Sequence, residues 1–255
     1  MNRMKNAFTK KAFIAFITAG DPDLETTYQC ILEMEKAGAS LVEIGIPFSD
    51  PVAEGPVIQK ANIRALNGGV NTAKVFELVQ RVRQVSDIPL CFMTYYNVVF
   101  HYGVEKFMAK CQDIGIDGLI LPDLSFEESE EVNQFKKRYD LELISFVAPT
   151  SQNRVKMIAR QAEGFIYLVS SMGVTGTRSS FAGGLEELVA LIKQETDTPV
   201  AIGFGINTPE QVKELSQYCD GVIVGSAIIK IIEKYGQDAP KHVREYVKEM
   251  VAALG

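Results

Sequence analysis

In the stretch EIGIPFSDPVAEGP, Glu43 to Pro56, a carboxylate stands inside an otherwise apolar run, and Ser49, Asp50 and Glu54 follow it. Two carboxylates held in different surroundings can act as an acid and a base in one reaction. Pro47, Pro51 and Pro56 stiffen the loop and Gly55 frees it locally, as suits a lid with one defined closed form. The bland alternative is that Glu43 faces a helix layer and pairs with Lys or Arg. Glu43 alone would leave that standing; Glu43 with Glu54 and Asp50 favours chemistry.

A second set of residues suits a phosphate. GVTGTRSSFAGG (173–184), GFGIN (203–207) and VGSAIIK (224–230) are glycine-bearing turns, and the last of them opens a helix at Gly225 and Ser226. Free backbone N–H groups beside a helix N-terminus make an anion pocket. Any one of these clusters could be turn chemistry; three at one end of a fold point to a site. Tyr167 lies in an apolar run and reads as a packing residue, with an inward orientation bringing it near the site. His101 and His242 have no partner at a diagnostic spacing.

These residues need elements to position them. Apolar runs of strand length recur at 12–18, 40–46, 88–95, 117–122, 141–148, 164–170, 198–204 and 220–225, and helical spacing fills the intervals. Near-continuous apolar strands alternating with helices predict a parallel sheet covered by helices. Eight such units in a chain of 255 residues predict an α/β single-domain (β/α)8 TIM barrel over 1–255, with extra N-terminal and C-terminal helices, the latter over 240–254. A doubly wound sheet is the alternative, but no G-x-G-x-x-G follows the first strand. In such a barrel the active site lies at the C-terminal ends of the strands, where the loops carrying Glu54 and the three glycine clusters emerge.

Composition narrows the partners. The net charge of −6, with Lys and Arg scattered among Asp and Glu, offers no basic stripe, which argues against nucleic acid. The basic start MNRMKNAFTKK precedes a short apolar run resembling a secretory signal, but that run carries Thr18 and leads into GDPD, so it is read as the first strand. No run approaches the roughly 18 apolar residues of a membrane span. Cys30, Cys91, Cys111 and Cys219 lie far apart, as expected of buried thiols in a reducing cytoplasm.

In order and along essentially the whole chain, FITAGDP, VEIGIPFSDPVAEGPVIQ, PDL after the fourth strand, GVTG, GFGI and DGVIVGSAI resemble the tryptophan synthase α subunit family. The resemblance implies a lyase that cleaves indole-3-glycerol phosphate to indole and glyceraldehyde 3-phosphate. It further implies no metal and no cofactor in this subunit, and a β subunit that carries pyridoxal phosphate, receives the indole and forms an α2β2 heterotetramer. By the same resemblance Glu43 is the general acid-base, Glu54 the second carboxylate on the indole N–H, and Tyr167 a substrate-contacting tyrosine. Phe16, Met93, Ile120 and Val147 line the indole slot. Gly176, Phe204, Gly205, Gly225 and Ser226 hold the phosphate, Thr175 is the lid threonine, and Asp50 and Pro51 communicate with the β subunit.

Three positions depart from the family pattern. Glu54 stands where the family has Asp, which moves the carboxylate by roughly 1 Å and predicts a slower site. Ser125 replaces a proline after PDL, and Ser171 an arginine at the start of the lid. Other readings are a mainly regulatory subunit that activates β, a sugar-phosphate isomerase sharing the phosphate site, and a stand-alone lyase releasing free indole.

Overall fold

The computed structural model describes residues 3–136, 138–149, 152–169, 184–203 and 205–255. Nine strand segments, all pairing in parallel, run β1 (Ala12–Thr18), β2 (Leu41–Gly45), β3 (Leu90–Met93), β4 (Gly118–Ile120), β5 (Glu142–Leu143), β6 (Ser145–Val147), β7 (Ile166–Val169), β8 (Val200–Gly203) and β9 (Gly221–Val224). Their spatial order is β5-β4-β3-β2-β1-β9-β8-β7-β6.

The two outermost segments are halves of one strand. The run expected at 141–148 divides at Ile144: β5 pairs with β4, β6 pairs with β7, and the Ile144 N–H still donates to Leu119 O at 2.9 Å. The chain therefore passes from one neighbour to the other, and the circle of eight strands closes as a (β/α)8 barrel.

Extra helices are more numerous than the two expected at the chain ends. β2 is followed by Pro56–Asn67 and Thr72–Arg83, and β3 by Tyr96–Tyr102 and Val104–Ile114. Gly103 divides the second pair, because its φ of 93° is a backbone conformation that L side chains rarely adopt and that no helix can continue through. Helix starts follow the sequence signals. Asp23 accepts from Thr26 N–H at 2.7 Å ahead of Leu24–Lys36, and Thr208 with Gln211 forms a reciprocal capping box ahead of Pro209–Leu215. The C-terminal helix, Ala239–Ala252, packs on Leu24–Lys36 and Ser226–Tyr235.

The N-terminal helix Met4–Ala7 closes the lower end of the barrel. A side-chain carbon at Gly118 would lie 2.9 Å from both Met4 Cε and Cys91 Sγ, so Met4 fills the space that this glycine leaves among the strands. Phe8 continues the plug against Phe165, with ring centroids 5.5 Å apart. Beside it, buried Asp117 accepts hydrogen bonds from Arg3 N–H at 2.8 Å, Leu90 N–H at 2.9 Å and Arg83 Nη2 at 2.9 Å. The four cysteines are free and buried. Among the described residues no helix is long and apolar enough to cross a membrane.

Candidate active site

Register places the site residues. Phe16, Glu43, Cys91 and Gly118 are partners across β1 to β4, and Thr18, Gly45, Met93 and Ile120 form the next row towards the strands' C-terminal ends. Parallel partners face the same side and successive residues alternate, so Phe16, Glu43, Met93 and Ile120 share the barrel's inner face. On the far side, Tyr167 is close enough to feel the charge of Glu43. Gly203 leaves room for it: a side-chain carbon there would lie 2.6 Å from the Tyr167 hydroxyl.

Val147 is the exception. Tyr167 is paired in register with Phe146, and the two rings stack with centroids 4.6 Å apart, whereas Val147 is paired with Leu168. Alternation puts Val147 on the opposite face, towards the helices. The inward apolar residue of this strand is Phe146, which the sequence reading missed: both positions are apolar, so the run carries no sign of which side faces in.

Glu43 is fully buried, and neither carboxylate oxygen has a hydrogen-bond partner among the described residues. An anion there would lose its hydration without compensation, and this burial pushes its pKa up to about 8. The carboxyl is therefore mostly protonated at neutral pH, and its anion is a stronger base than an ordinary carboxylate. Tyr167 is pushed upwards too, first by burial and then by Glu43, and remains a neutral phenol.

Glu54 sits just before the helix Pro56–Asn67, whose N-cap is Gly55. It is half-buried, and burial lifts its pKa to about 7 while a hydrogen bond from Asn62 pulls the other way. Asn62 Nδ2 donates to Glu54 Oε2 at 2.6 Å, and Gln59 Nε2 donates to the Glu54 carbonyl at 2.8 Å. The loop ahead of it rests on Tyr95, whose hydroxyl accepts from Ala53 N–H at 3.0 Å and whose ring lies 5.1 Å from that of Phe48. Asn62 and Tyr95 were also missed from sequence. Asn62 had a signal, being a polar residue in the apolar stripe of Ile58, Ala61 and Ala65; Tyr95 had none.

The opposite side of the mouth suits an anion. Gly205 has φ 79° with no described residue within 4 Å of where a side-chain carbon would stand, and Gly225 caps the helix Ser226–Tyr235. The first N–H groups of that helix have no intrahelical acceptor and its dipole favours negative charge. A side-chain carbon at Gly225 would meet Phe16 Cδ1 at 3.2 Å, so the anion end adjoins the apolar slot. Thr175, Gly176, Phe204 and Ser171 lie outside the described residues. Asp50, joined to the Ser49 hydroxyl, is exposed on the rim together with Val52. Ser125 does not loosen its loop: its hydroxyl donates to Glu128 Oε2 at 2.7 Å and accepts from Glu128 N–H at 3.3 Å.

An apolar slot beside the buried Glu43 carboxyl, next to a helix N-terminus suited to an anion, would take an aromatic phosphate ester. The family model "Tryptophan synthase alpha chain" matches residues 2–254. A tryptophan synthase alpha chain from Alkaliphilus metalliredigens is 51% identical over 245 residues, covering 95% of this chain and 92% of that one. Another, from Lacticaseibacillus casei, is 46% identical over 255 residues, covering 100% and 96%. Among solved structures, one on the mutual activation of the tryptophan synthase α2β2 complex from the hyperthermophile Pyrococcus furiosus superposes with a TM-score of 0.87 at 33% identity, covering 96% of this chain and 99% of that one. With one relative more than half identical and the family pattern running from one end of the barrel to the other, the chain belongs to the tryptophan synthase alpha chain family.

Proposed function

We infer that the barrel mouth cleaves indole-3-glycerol phosphate to indole and glyceraldehyde 3-phosphate, and that Glu43 moves the protons. The observation that carries this is the buried Glu43 carboxyl, without a hydrogen-bond partner among the described residues and with a pKa of about 8. As a neutral acid it donates its proton to the ring carbon that bears the glycerol phosphate side chain. Positive charge develops on the ring N–H, which donates a hydrogen bond to the Glu54 carboxylate. Glu43, now an anion in a dry cavity, takes the proton of the hydroxyl on the adjoining side-chain carbon. That C–O becomes the aldehyde as the C–C bond breaks and its electrons return to the ring. One proton is given and one recovered, so Glu43 ends as it began.

Phe16, Met93 and Ile120, with Phe146, hold the indole plane, and Tyr167 closes the slot beside Glu43. Gly205, Gly225 and Ser226 receive the phosphate at the helix N-terminus. The reaction in this subunit uses side chains alone, and the family's pyridoxal phosphate belongs to the β subunit, with which the chain forms an α2β2 assembly. Asp50 and Pro51 are assigned to that contact, supported by their place on the exposed rim beside Glu54. The circular strand order supports reading residues 1–255 as one barrel domain, and the four free cysteines support a cytoplasmic setting.

The test is indole release from indole-3-glycerol phosphate by the purified chain, with and without a β subunit, for wild type and Glu43→Gln. Cleavage that rises with β and vanishes in the variant is the expected result. Cleavage that persists in Glu43→Gln overturns the proton assignment, and cleavage absent throughout points to a regulatory subunit.

A further inference from the structure

We propose that Asn62 is a positioning residue for the second carboxylate, and that the pair Glu54–Asn62 sets the reach of this site, so that Glu rather than Asp is the fitting residue at position 54. The inference rests on the role given to Glu54 above.

Glu54 lies two residues before the first helical residue of Pro56–Asn67, and Asn62 lies on the buried face of that helix. Helical side chains tilt towards the N-terminus, so the Asn62 amide points back along the helix to the loop that carries Glu54. The 2.6 Å contact between them is a hydrogen bond to a group that is charged when it works, the stronger kind. Replacing Glu54 by Asp withdraws the carboxylate by up to one C–C bond and opens this contact to roughly 4 Å, beyond hydrogen-bond reach. The amide of buried Asn62 would then lose its acceptor.

The platform under Asn62 is fixed independently. Arg64, two residues further on the same helix, grips buried Asp21 through Nε at 2.7 Å and Nη2 at 2.8 Å, and reaches Glu233 through Nη1 at 3.0 Å. Asp21 lies in the loop that leaves β1, the strand that carries Phe16 next to Glu43. Asn62 therefore places the Glu54 carboxylate relative to the indole slot rather than relative to its own loop. Among the described residues, the Tyr95 phenol feels the charge of Glu54; burial pushes it to about 12, so it stays neutral throughout the working range. The Asn62 hydrogen bond also favours the Glu54 anion, which is the form that accepts from the indole N–H.

The experiment measures kcat, KM, the pH dependence of kcat/KM and the thermal midpoint for the complex with β. The variants are Glu54→Asp, Glu54→Gln, Asn62→Ala, Asn62→Gln and the double variant Glu54→Asp/Asn62→Gln, in which the lengthened amide restores the reach. Asn62→Ala is expected to lower kcat/KM roughly tenfold and to move its acid limb to higher pH, a shift that loosened packing alone would not produce. The double variant is expected to recover most of what Glu54→Asp loses. A wild-type rate and acid limb in Asn62→Ala, or a double variant no better than the product of the two losses, overturns the pairing. Should Asn62→Ala not fold, the rescue decides the matter alone. Wild-type cleavage by Glu54→Gln would remove the role of Glu54 itself; loss in Glu54→Gln with neutral Asn62 variants would remove only that of Asn62.

Discussion

Asp117 and Glu43 are both carboxylates buried in the barrel wall, 1% and 0% exposed, the first just ahead of β4 and the second in the middle of β2. At the N-terminal end, Asp117 accepts from two backbone N–H groups and from Arg3 and Arg83, so its charge is matched where it stands. In the middle of β2, Glu43 has no hydrogen-bond partner among the described residues. The same chemical group thus ties segments together in one place and is left without a donor in the other. The difference teaches that burial alone does not decide what a carboxylate does; the donors placed around it do.

The largest effect expected from breaking this contrast is in Glu43→Gln. Loss of the group that both gives and takes the proton should lower indole release on the order of 10³-fold to 10⁴-fold, a barrier increase of about 4–5 kcal/mol. Stability should move the other way. With a folded-state pKa of about 8 against an ordinary 4.5, the folded chain binds a proton that the unfolded chain has released. Wild type should therefore lose stability as pH rises from 5 to 8, by about 4 kcal/mol relative to Glu43→Gln, and the two slopes should match again above pH 8. Urea unfolding at three pH values checks this, and parallel slopes throughout would mean that Glu43 finds a partner in solution.

The mirror-image variant, Asp117→Ala, strands the Arg83 guanidinium, which lies mostly inside the protein. Unfolding free energy should fall by about 3–5 kcal/mol, while kcat/KM of the folded fraction stays within twofold. A catalytic defect as large as the stability defect would erase the division between the two carboxylates. Met4→Ala empties part of the plug and should cost about 3 kcal/mol in the same unfolding experiment, again with kcat/KM retained. The smallest effect is expected at the anion pocket. Gly205→Ala puts a side chain on a backbone with φ 79°, a strain of about 1–2 kcal/mol that should be read as a several-fold rise in KM with kcat nearly unchanged.

Much of this architecture was legible in the residues. Strand-length apolar runs between turn signals located every strand, because a parallel strand buried on both faces tolerates little else. Glu43 was conspicuous because a carboxylate is costly in such a run. Gly225 and Ser226 marked a helix opening at the strand ends. The departures at Glu54 and Ser125 were also visible, but their consequences were not. Ser125 caps its own turn through Glu128, and Glu54 meets Asn62, so neither change simply weakens its loop. Val147 was placed in the slot and Phe146 overlooked, because LELISFVA is apolar on both sides and its inward face is chosen by register with β7.

The sequence by itself determined the alternation of strands and helices and singled out the carboxylate that stands inside an apolar strand. These follow from local patterns: periodicity, turn residues, and the desolvation cost of a charge in an apolar strand. Only the tertiary structure decided that Glu43 has no hydrogen-bond partner among the described residues while Asp117 has several, that Phe146 rather than Val147 turns inward, and that Asn62 reaches Glu54. Each of these depends on which atoms of distant segments come within about 3 Å of one another. A hydrogen bond is present or absent over a fraction of an ångström, a precision that chain spacing does not carry.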